Sequence, residues 1–110
     1  MGPTGNAPLA GRVRTSLRDF ARQHPGQLIE IRVPPYAAVQ VGLPGVTTAH
    51  RRGTPPNVIE MTPEIWLALS NGSVSWTEAT HAHLVQASGV HADLGPLLRA
   101  VGTSDVERSV

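Results

Sequence analysis

The sequence contains no cysteine among its 110 residues. Disulfide bonds, thiolate metal sites and cysteine nucleophiles are therefore excluded as explanations of its fold or function. The absence of disulfides suits a cytoplasmic protein without requiring one. The length is that of a single domain, which at this size buries about two-thirds of its unfolded surface, enough for one modest core.

Charged residues are scarce, and all of the basic ones are of a single type. Charged residues make up 15% of the chain, against about 25% in an average soluble domain. All 9 basic residues are arginine, and the formal net charge is only +1. A general nucleic-acid-binding protein needs a basic face that displaces counterions. The charge balance therefore argues against nucleic acid as a partner, and the low charge content leaves room for a generous apolar cavity.

Long apolar runs are also missing. No run approaches the ~20 residues of a membrane-spanning helix. Residues 1–10 are rich in glycine and proline and lack the apolar core of a signal peptide. We predict that residues 1–10 and 102–110 are flexible and that residues 11–101 form the folded domain. The expected location is the cytoplasm.

Helical spacing and capping signals predict four helices. Apolar residues recur every three to four positions from Gly11 until His24-Pro25-Gly26, and four arginines occupy the other faces of this helix. Thr62 and Ser75 are predicted to cap two short helices that follow them. A last helix is predicted over residues 93–101.

Alternation of apolar and polar residues predicts the strands. The predicted strands cover residues 29–33, 37–41, 46–49, 57–61 and 84–88. Short turns between consecutive strands imply mostly antiparallel pairing, whereas the last strand follows helices and is predicted to insert parallel to a neighbour. The fold class is therefore α+β, with a mostly antiparallel sheet of about five strands and helices packed on one face.

The sequence patterns of enzymes and metal sites are missing. The chain has no nucleophile elbow, no dinucleotide or Walker loop, and no paired carboxylates suited to acid–base catalysis. His81 and His83 form an H-x-H pair near His91. Residues two apart on a helix point to different faces, so surface histidines are the favoured interpretation over a metal site. We predict no enzyme activity, no cofactor and no metal.

Trp66 and Trp76 are two of only four residues among Phe, Trp and Tyr. Trp66 lies among apolar residues on a predicted short helix, so core packing is the favoured interpretation for at least one of the two. The alternative is the wall of a ligand cavity, where a flat apolar side chain with one polar N–H is useful. Both interpretations stay open for each tryptophan.

The stretch RGTPPNVIEMTPEIWLALSNGSVSWTEA, followed by VQASGVHADLGPLL, resembles the sterol-carrier-protein-2-like (SCP2-like) family. It looks closest to the small actinobacterial branch of that family. The resemblance covers most of residues 11–98, and its most specific part is the RGTPPN run. The matching segments are VPPY at 33–36, AVQ at 38–40, RGTPPNVIE at 52–60, WLAL at 66–69, ASG at 87–89 and ADL at 92–94.

The resemblance implies an SCP2-like carrier fold with an apolar tunnel between sheet and helices, which holds sterols, fatty acyl chains or other lipids without a cofactor. We therefore predict non-enzymatic binding or transport of an apolar small molecule. The expected ligand contacts are Phe20, Val39, Val41, Ile59, Met61, Trp66, Leu69, Leu97 and Leu98.

The same resemblance places Arg51 and Arg52 at the rim of the tunnel, where they would meet an anionic head group. Pro55 and Pro56 fix an extended approach to the next strand and withhold two backbone donors. The favoured alternative is therefore structural, with Arg52 bracing this turn through hydrogen bonds to carbonyl groups.

Two other functions stay open. A protein-interaction module could keep the fold and fill the tunnel, since low charge and exposed edge strands favour a homodimer or a protein partner; peripheral membrane contact is also open. Related domains lie at the C terminus of mycothiol-dependent maleylpyruvate isomerases, beside a metal-binding helical bundle. This chain is too short to hold that bundle, so the isomerase activity is not implied, and an accessory role would need a partner.

Overall fold

The computed structural model describes residues 3–47 and 56–98. A helical turn at residues 95–98 ends the described part. The elements before it are α1 (Pro3–Gln23), β1 (Ile29–Val33), β2 (Ala37–Val41), β3 (Asn57–Met61), α2 (Pro63–Ser70), α3 (Trp76–His81) and β4 (Val85–Ser88).

The predicted helix caps are confirmed. The Oγ1 atom of Thr62 accepts a hydrogen bond from the backbone N–H of Ile65 at 3.3 Å, at the start of α2. Ser75 and Glu78 form a reciprocal capping box at the start of α3. Each cap satisfies backbone donors that a helix N-terminus leaves unpaired.

The first helix begins earlier than the sequence pattern indicated. It starts at Pro3 instead of Gly11 and continues through Pro8. Proline suits the first position of a helix, because its ring fixes φ and its missing N–H would be unpaired there anyway. Residues 3–10 carry little apolar periodicity, so the pattern that we used to predict the helix could not reveal its first turns.

The α+β class and the mostly antiparallel sheet are confirmed, with four strands in the described residues instead of about five. The strand order is β2-β1-β3-β4. Pairs β1–β2 and β3–β4 are antiparallel, and β1–β3 is parallel. The prediction that the last strand is parallel to its neighbour was wrong. Parallel strands need a long crossover connection, and here the chain passes through β2 and the segment after it before β3 pairs with β1. The parallel strand is therefore β3.

The strand predicted at residues 46–49 is not formed at its first two positions. Val46 and Thr47 lie outside any strand, and the N–H of Val46 donates to the carbonyl oxygen of Leu43 at 3.2 Å. This bond closes a turn around Pro44-Gly45, which competes with strand pairing. Residues 48 and 49 lie outside the described part of the chain.

The core lies on one face of the sheet. In β1, buried Ile29, Ile31 and Val33 alternate with half-buried Glu30 and Arg32. The helices cover the apolar face, and each fully buried aliphatic side chain there contributes about 1.5–3 kcal/mol of hydrophobic free energy. The buried side chains of α1 are Val13, Leu17 and Phe20, and those of α2 are Trp66 and Leu69.

The last helix begins two residues later than predicted. Its described part is the turn at 95–98, and the Oδ1 atom of Asp93 accepts from the N–H of Gly95 at 2.8 Å just before it. Leu94 and Leu97 are buried and anchor this turn to the core. Residues 99–101 of the predicted helix lie outside the described residues.

Two of the sequence segments that carry the family resemblance meet in space. Asn57, from the RGTPPN run, is 1% exposed. Its Nδ2 atom donates to the carbonyl oxygen of Leu28 at 3.0 Å, and its Oδ1 atom accepts from the N–H of His91 at 2.8 Å. Gly89, from the ASG segment, has φ +114° and packs directly against Asn57. The buried amide therefore ties the start of β3 to the start of β1 and to the loop after β4.

Candidate ligand groove

A groove of about 730 Å³ lies between α1 and α2. Its α1 side extends over residues 11–23, which corresponds to about 18 Å of helix. The groove is open to solvent on one side and closed at its base by apolar side chains. The lining residues are Gly11, Arg12, Thr15, Ser16, Asp19, Phe20, Gln23, Trp66, Leu67, Ser70, Asn71 and Leu98.

Two aromatic side chains form the base of the groove. The rings of Phe20 and Trp66 meet edge to face, with centroids 5.1 Å apart and an interplanar angle of 78°, a favourable geometry for the two quadrupoles. The Nε1 atom of Trp66 donates to the Oγ atom of Ser16 at 3.0 Å. Trp66 has no exposed surface, so a ligand would contact it only after neighbouring side chains moved. Its indole belongs both to the core and to the groove base.

Trp76 has a different position. It is the first residue of α3 and is half-buried against the core. It does not line the groove described above. The two tryptophans, for which the sequence left the same two interpretations open, therefore differ. Trp66 lies in the core and at the base of the groove, whereas Trp76 packs against the core away from the groove.

Polar and charged side chains surround the opening of the groove. Arg12, Asp19 and Gln23 belong to α1, and Ser70 and Asn71 lie at the end of α2. The carboxylate of Asp19 is 3.6 Å from the Arg22 guanidinium, but both side chains are largely exposed, so this pair adds little stability. Arg12 forms no salt bridge within the described residues. Arg12 is therefore the cation in the described lining, and no salt bridge among the described residues offsets its charge.

The predicted ligand contacts are placed in two groups. Phe20, Trp66 and Leu98 line the groove. The others do not line it: Val39 is half-buried against the core, whereas Val41, Ile59, Met61, Leu69 and Leu97 are buried within the core. The predicted rim residues, Arg51 and Arg52, lie outside the described part of the chain.

The groove does not lie between the sheet and the helices, where the tunnel was expected. The inner face of the sheet and the buried faces of α1 and α2 contribute to one hydrophobic cluster. Large side chains such as Leu17, Phe20 and Trp66 fill the space between these layers. The groove instead runs along the outer edge of the contact between α1 and α2.

Polar groove residues were missed by the sequence analysis. Arg12, Ser16, Asp19 and Gln23 follow each other at spacings of three or four, so they lie on one face of α1 beside its buried stripe. That spacing was visible in the sequence. However, it is typical of any solvated helix face, and only the position of α2 shows which polar face borders a groove.

A second depression of about 370 Å³ lies on the other face of the sheet, near Pro34 and Pro35. Glu30 and Arg32 line it, and they already pair with each other at 3.1 Å. Its charged groups are thus satisfied internally. The groove between α1 and α2 is the better candidate for ligand binding.

Metal binding finds no support in the described residues. Nowhere in ranges 3–47 and 56–98 do three His, Cys, Asp or Glu side chains come together as a metal site. His81 ends α3, His83 follows in a turn with φ 58°, and the backbone of His91 bonds to Asn57. The three histidines are therefore spread over the segments on both sides of β4.

His24 provides a test of the packing at the end of α1. Its Nε2 atom is buried and has no hydrogen-bond partner within the described residues, and its ring lies 4.7 Å from the ring of Phe20. Burial lowers the pKa of His24 below the ordinary value of 6.5, because desolvation disfavours the charged imidazolium.

We expect this lowered pKa to make the fold less stable in mild acid. Below pH 6.5 the unfolded chain binds a proton on this histidine more readily than the folded chain does. The stability present above pH 6.5 is therefore lost as pH falls toward the lower pKa of the folded state. Between about pH 8 and about pH 5, the free energy of unfolding measured in urea should fall less for His24→Gln than for the unsubstituted chain. An equal fall for the two proteins would contradict this interpretation.

The comparison with known families agrees with the fold and with the resemblance noted in the sequence. The chain matches the family described as "Bacterial SCP ortholog" over residues 6–99. The chain belongs to this bacterial SCP family. The SCP2-like resemblance is thereby confirmed, and the matched region includes the whole described sheet and the groove between α1 and α2. No curated protein matches the chain.

In the part of the chain that the structure describes, no helix combines the length and the apolar character needed to cross a membrane.

Proposed function

We propose that the protein binds a lipid-like amphiphile, without catalysis, at the groove between α1 and α2. The observation that carries the proposal is the groove itself, whose apolar lining includes the partly exposed Leu67 and Leu98 above Phe20 and Trp66. Its volume of about 730 Å³ falls in the range of about 300–1,000 Å³ typical of small-molecule sites. Membership of a bacterial SCP family supports an apolar ligand, since sterol carrier proteins are lipid carriers.

The chemistry of the groove favours burial over directional recognition. Covering the exposed apolar surface of the groove would contribute roughly 25 cal/mol for each Å² removed from water. Arg12 at the opening supplies a positive charge for an anionic head group. A solvent-exposed charge pair contributes at most about 1 kcal/mol, so Arg12 would select among head groups while the apolar part supplies most of the affinity.

The composition of the groove also supports binding over catalysis. The described lining includes no histidine and only one carboxylate, that of Asp19. The hydroxyl of Ser16 accepts the hydrogen bond of the Trp66 indole, and none of the described hydrogen bonds joins it to a carboxylate or an imidazole. Nucleophilic or general acid–base chemistry needs such a base within hydrogen-bond reach.

The groove can be filled without disturbing the core. Gly11 lines it, and a Cβ atom built there has no other atom within 4 Å. We expect Gly11→Phe to weaken binding of a fluorescent fatty acid at least about tenfold, which corresponds to about 1.4 kcal/mol. The aromatic ring would occupy space that the acyl chain needs. Fluorescence titration of delipidated protein measures the effect.

Gly11→Ala is the matched control for this experiment. Alanine stabilises a helix interior by about 1 kcal/mol relative to glycine, but its small side chain leaves the groove open. Gly11→Ala should therefore raise the thermal midpoint and keep the affinity within about twofold. The proposal fails if the unsubstituted chain shows no saturable binding, or if Gly11→Phe binds as well as Gly11→Ala.

A further inference from the structure

Strand β4 is an unprotected edge of the described sheet. It lies last in the order β2-β1-β3-β4, and among the described residues it pairs with β3 alone. Its sequence, VQAS, contains no charged residue and no proline. Natural proteins usually protect an exposed edge with charges, prolines or covering segments, because its free N–H and C=O groups pair readily with another strand.

The two large hydrophobic side chains that the described residues expose both flank this edge. Leu84, directly before β4, is 40% exposed, and Val90, two residues after it, is 93% exposed. Single exposed hydrophobic residues are ordinary on a protein surface. Here both lie at the two ends of one uncharged edge strand, so the exposed apolar side chains and the unpaired backbone groups share one edge of the described sheet.

We propose that two copies of this protein associate through antiparallel pairing of their β4 edges about a two-fold axis. Such an axis through the middle of β4 brings Leu84 of each copy toward the end of the other strand, where Val90 lies. The edge is thus complementary to itself, as a two-fold interface requires. The paired sheets would form one continuous sheet of eight strands, twice the four described in each copy.

Charge favours a second copy as the occupant of this edge. A strand without charged residues presents no repulsion to its own symmetry mate, and the formal net charge of the whole chain is only +1. Each copy therefore meets its equivalent with little electrostatic cost. A charged peptide partner would find no complementary charges on β4 itself.

The proposed interface is separate from the groove. No residue of β4 lines the groove between α1 and α2. Self-association and ligand binding can consequently be tested independently, and the failure of one proposal leaves the other intact.

Sedimentation equilibrium of the full chain, from about 10 µM to about 1 mM, tests the proposal. We expect a reversible monomer–dimer equilibrium for the unsubstituted chain. Gln86→Lys combined with Val90→Lys should weaken the dimer at least about tenfold by placing like charges across the axis. Gln86 pairs in register with Glu60, so lysine there gains an opposite-charge neighbour within its own sheet and the fold is preserved.

Two further variants make the outcome decisive. Val90→Lys alone changes a residue that is 93% exposed, so it tests the interface without any effect on packing. Gln40→Lys places the same charge at an exposed position on β2, the strand at the other end of the described order. Gln40 pairs in register with Glu30, so this variant matches Gln86→Lys and should leave the dimer unchanged. A monomer at every concentration would overturn the proposal. So would a dimer that is insensitive to the β4 substitutions, or one that Gln40→Lys abolishes.

Discussion

Replacing Gly89 by alanine is expected to destabilise the fold by about 3–5 kcal/mol. Gly89 has φ +114°, a conformation that residues with a side chain rarely adopt. A Cβ atom there would lie 2.7 Å from the carbonyl oxygen of Pro56 and 2.9 Å from the Cα atom of Asn57. Both neighbours are backbone atoms and cannot rotate away, so the strand pair itself would have to shift.

The chain offers a matched control at Gly72. This glycine also has a positive φ, +84°, but an added Cβ atom there meets no other atom within 4 Å. Gly72→Ala should therefore show only the backbone term, about 1–2 kcal/mol. Urea unfolding monitored by tryptophan fluorescence measures both variants. Equal losses for the two substitutions would show that the contact between Gly89 and β3 does not matter.

Asn57→Ala is expected to cost about 2–4 kcal/mol, the second-largest effect. The substitution removes two hydrogen bonds and leaves the carbonyl of Leu28 and the N–H of His91 without their side-chain partners. Burial magnifies the loss, because a polar group that water cannot reach pays its full desolvation cost when unpaired. The expected signature in urea is a lower midpoint with an unchanged m-value.

Asn71→Ala is the corresponding control for a surface amide. Asn71 is exposed, and its Oδ1 atom accepts from the N–H of Ser73 at 2.8 Å in a local turn. Its replacement should cost less than about 1 kcal/mol. If Asn57→Ala proved no more harmful than this variant, the buried amide could not be the link that joins the two sequence segments.

Local features of the fold could be predicted from the sequence because local chemistry determines them. Thr62 and Ser75 satisfy helix donors within three residues of themselves, so their roles are visible in a short window. The same applies to β1, where the alternation of buried and half-buried residues follows the pleat of the strand. These signals require no knowledge of the rest of the chain.

Sheet order could not be predicted in the same way. The pairing of Ile29 with Asn57 joins strands separated by the whole of β2 and a long connection. Alternation within a strand identifies its buried face but not its neighbour. Asn57 illustrates the difficulty, since its partners at Leu28 and His91 are 29 and 34 residues away.

The candidate site was foreseen only in part for a related reason. Phe20, Trp66 and Leu98 were chosen as apolar residues on helices, and they line the groove. Ile59 and Met61 carry the same apolar character but face the core. Hydrophobicity indicates burial, whereas the choice between a filled core and an open groove depends on how closely α1 and α2 approach each other.

The central claim is that an apolar ligand binds in the groove between α1 and α2. Contacts between a bound ligand and particular side chains test it most directly. Isotope-filtered NOE spectra of ¹³C-labelled protein with unlabelled palmitate report such contacts. The groove between α1 and α2 predicts NOEs from the acyl chain to Phe20 and Leu98, which line it. NOEs confined to Val41, Ile59 and Met61 on the inner face of the sheet would contradict this account, as would the absence of any intermolecular NOE at saturating palmitate.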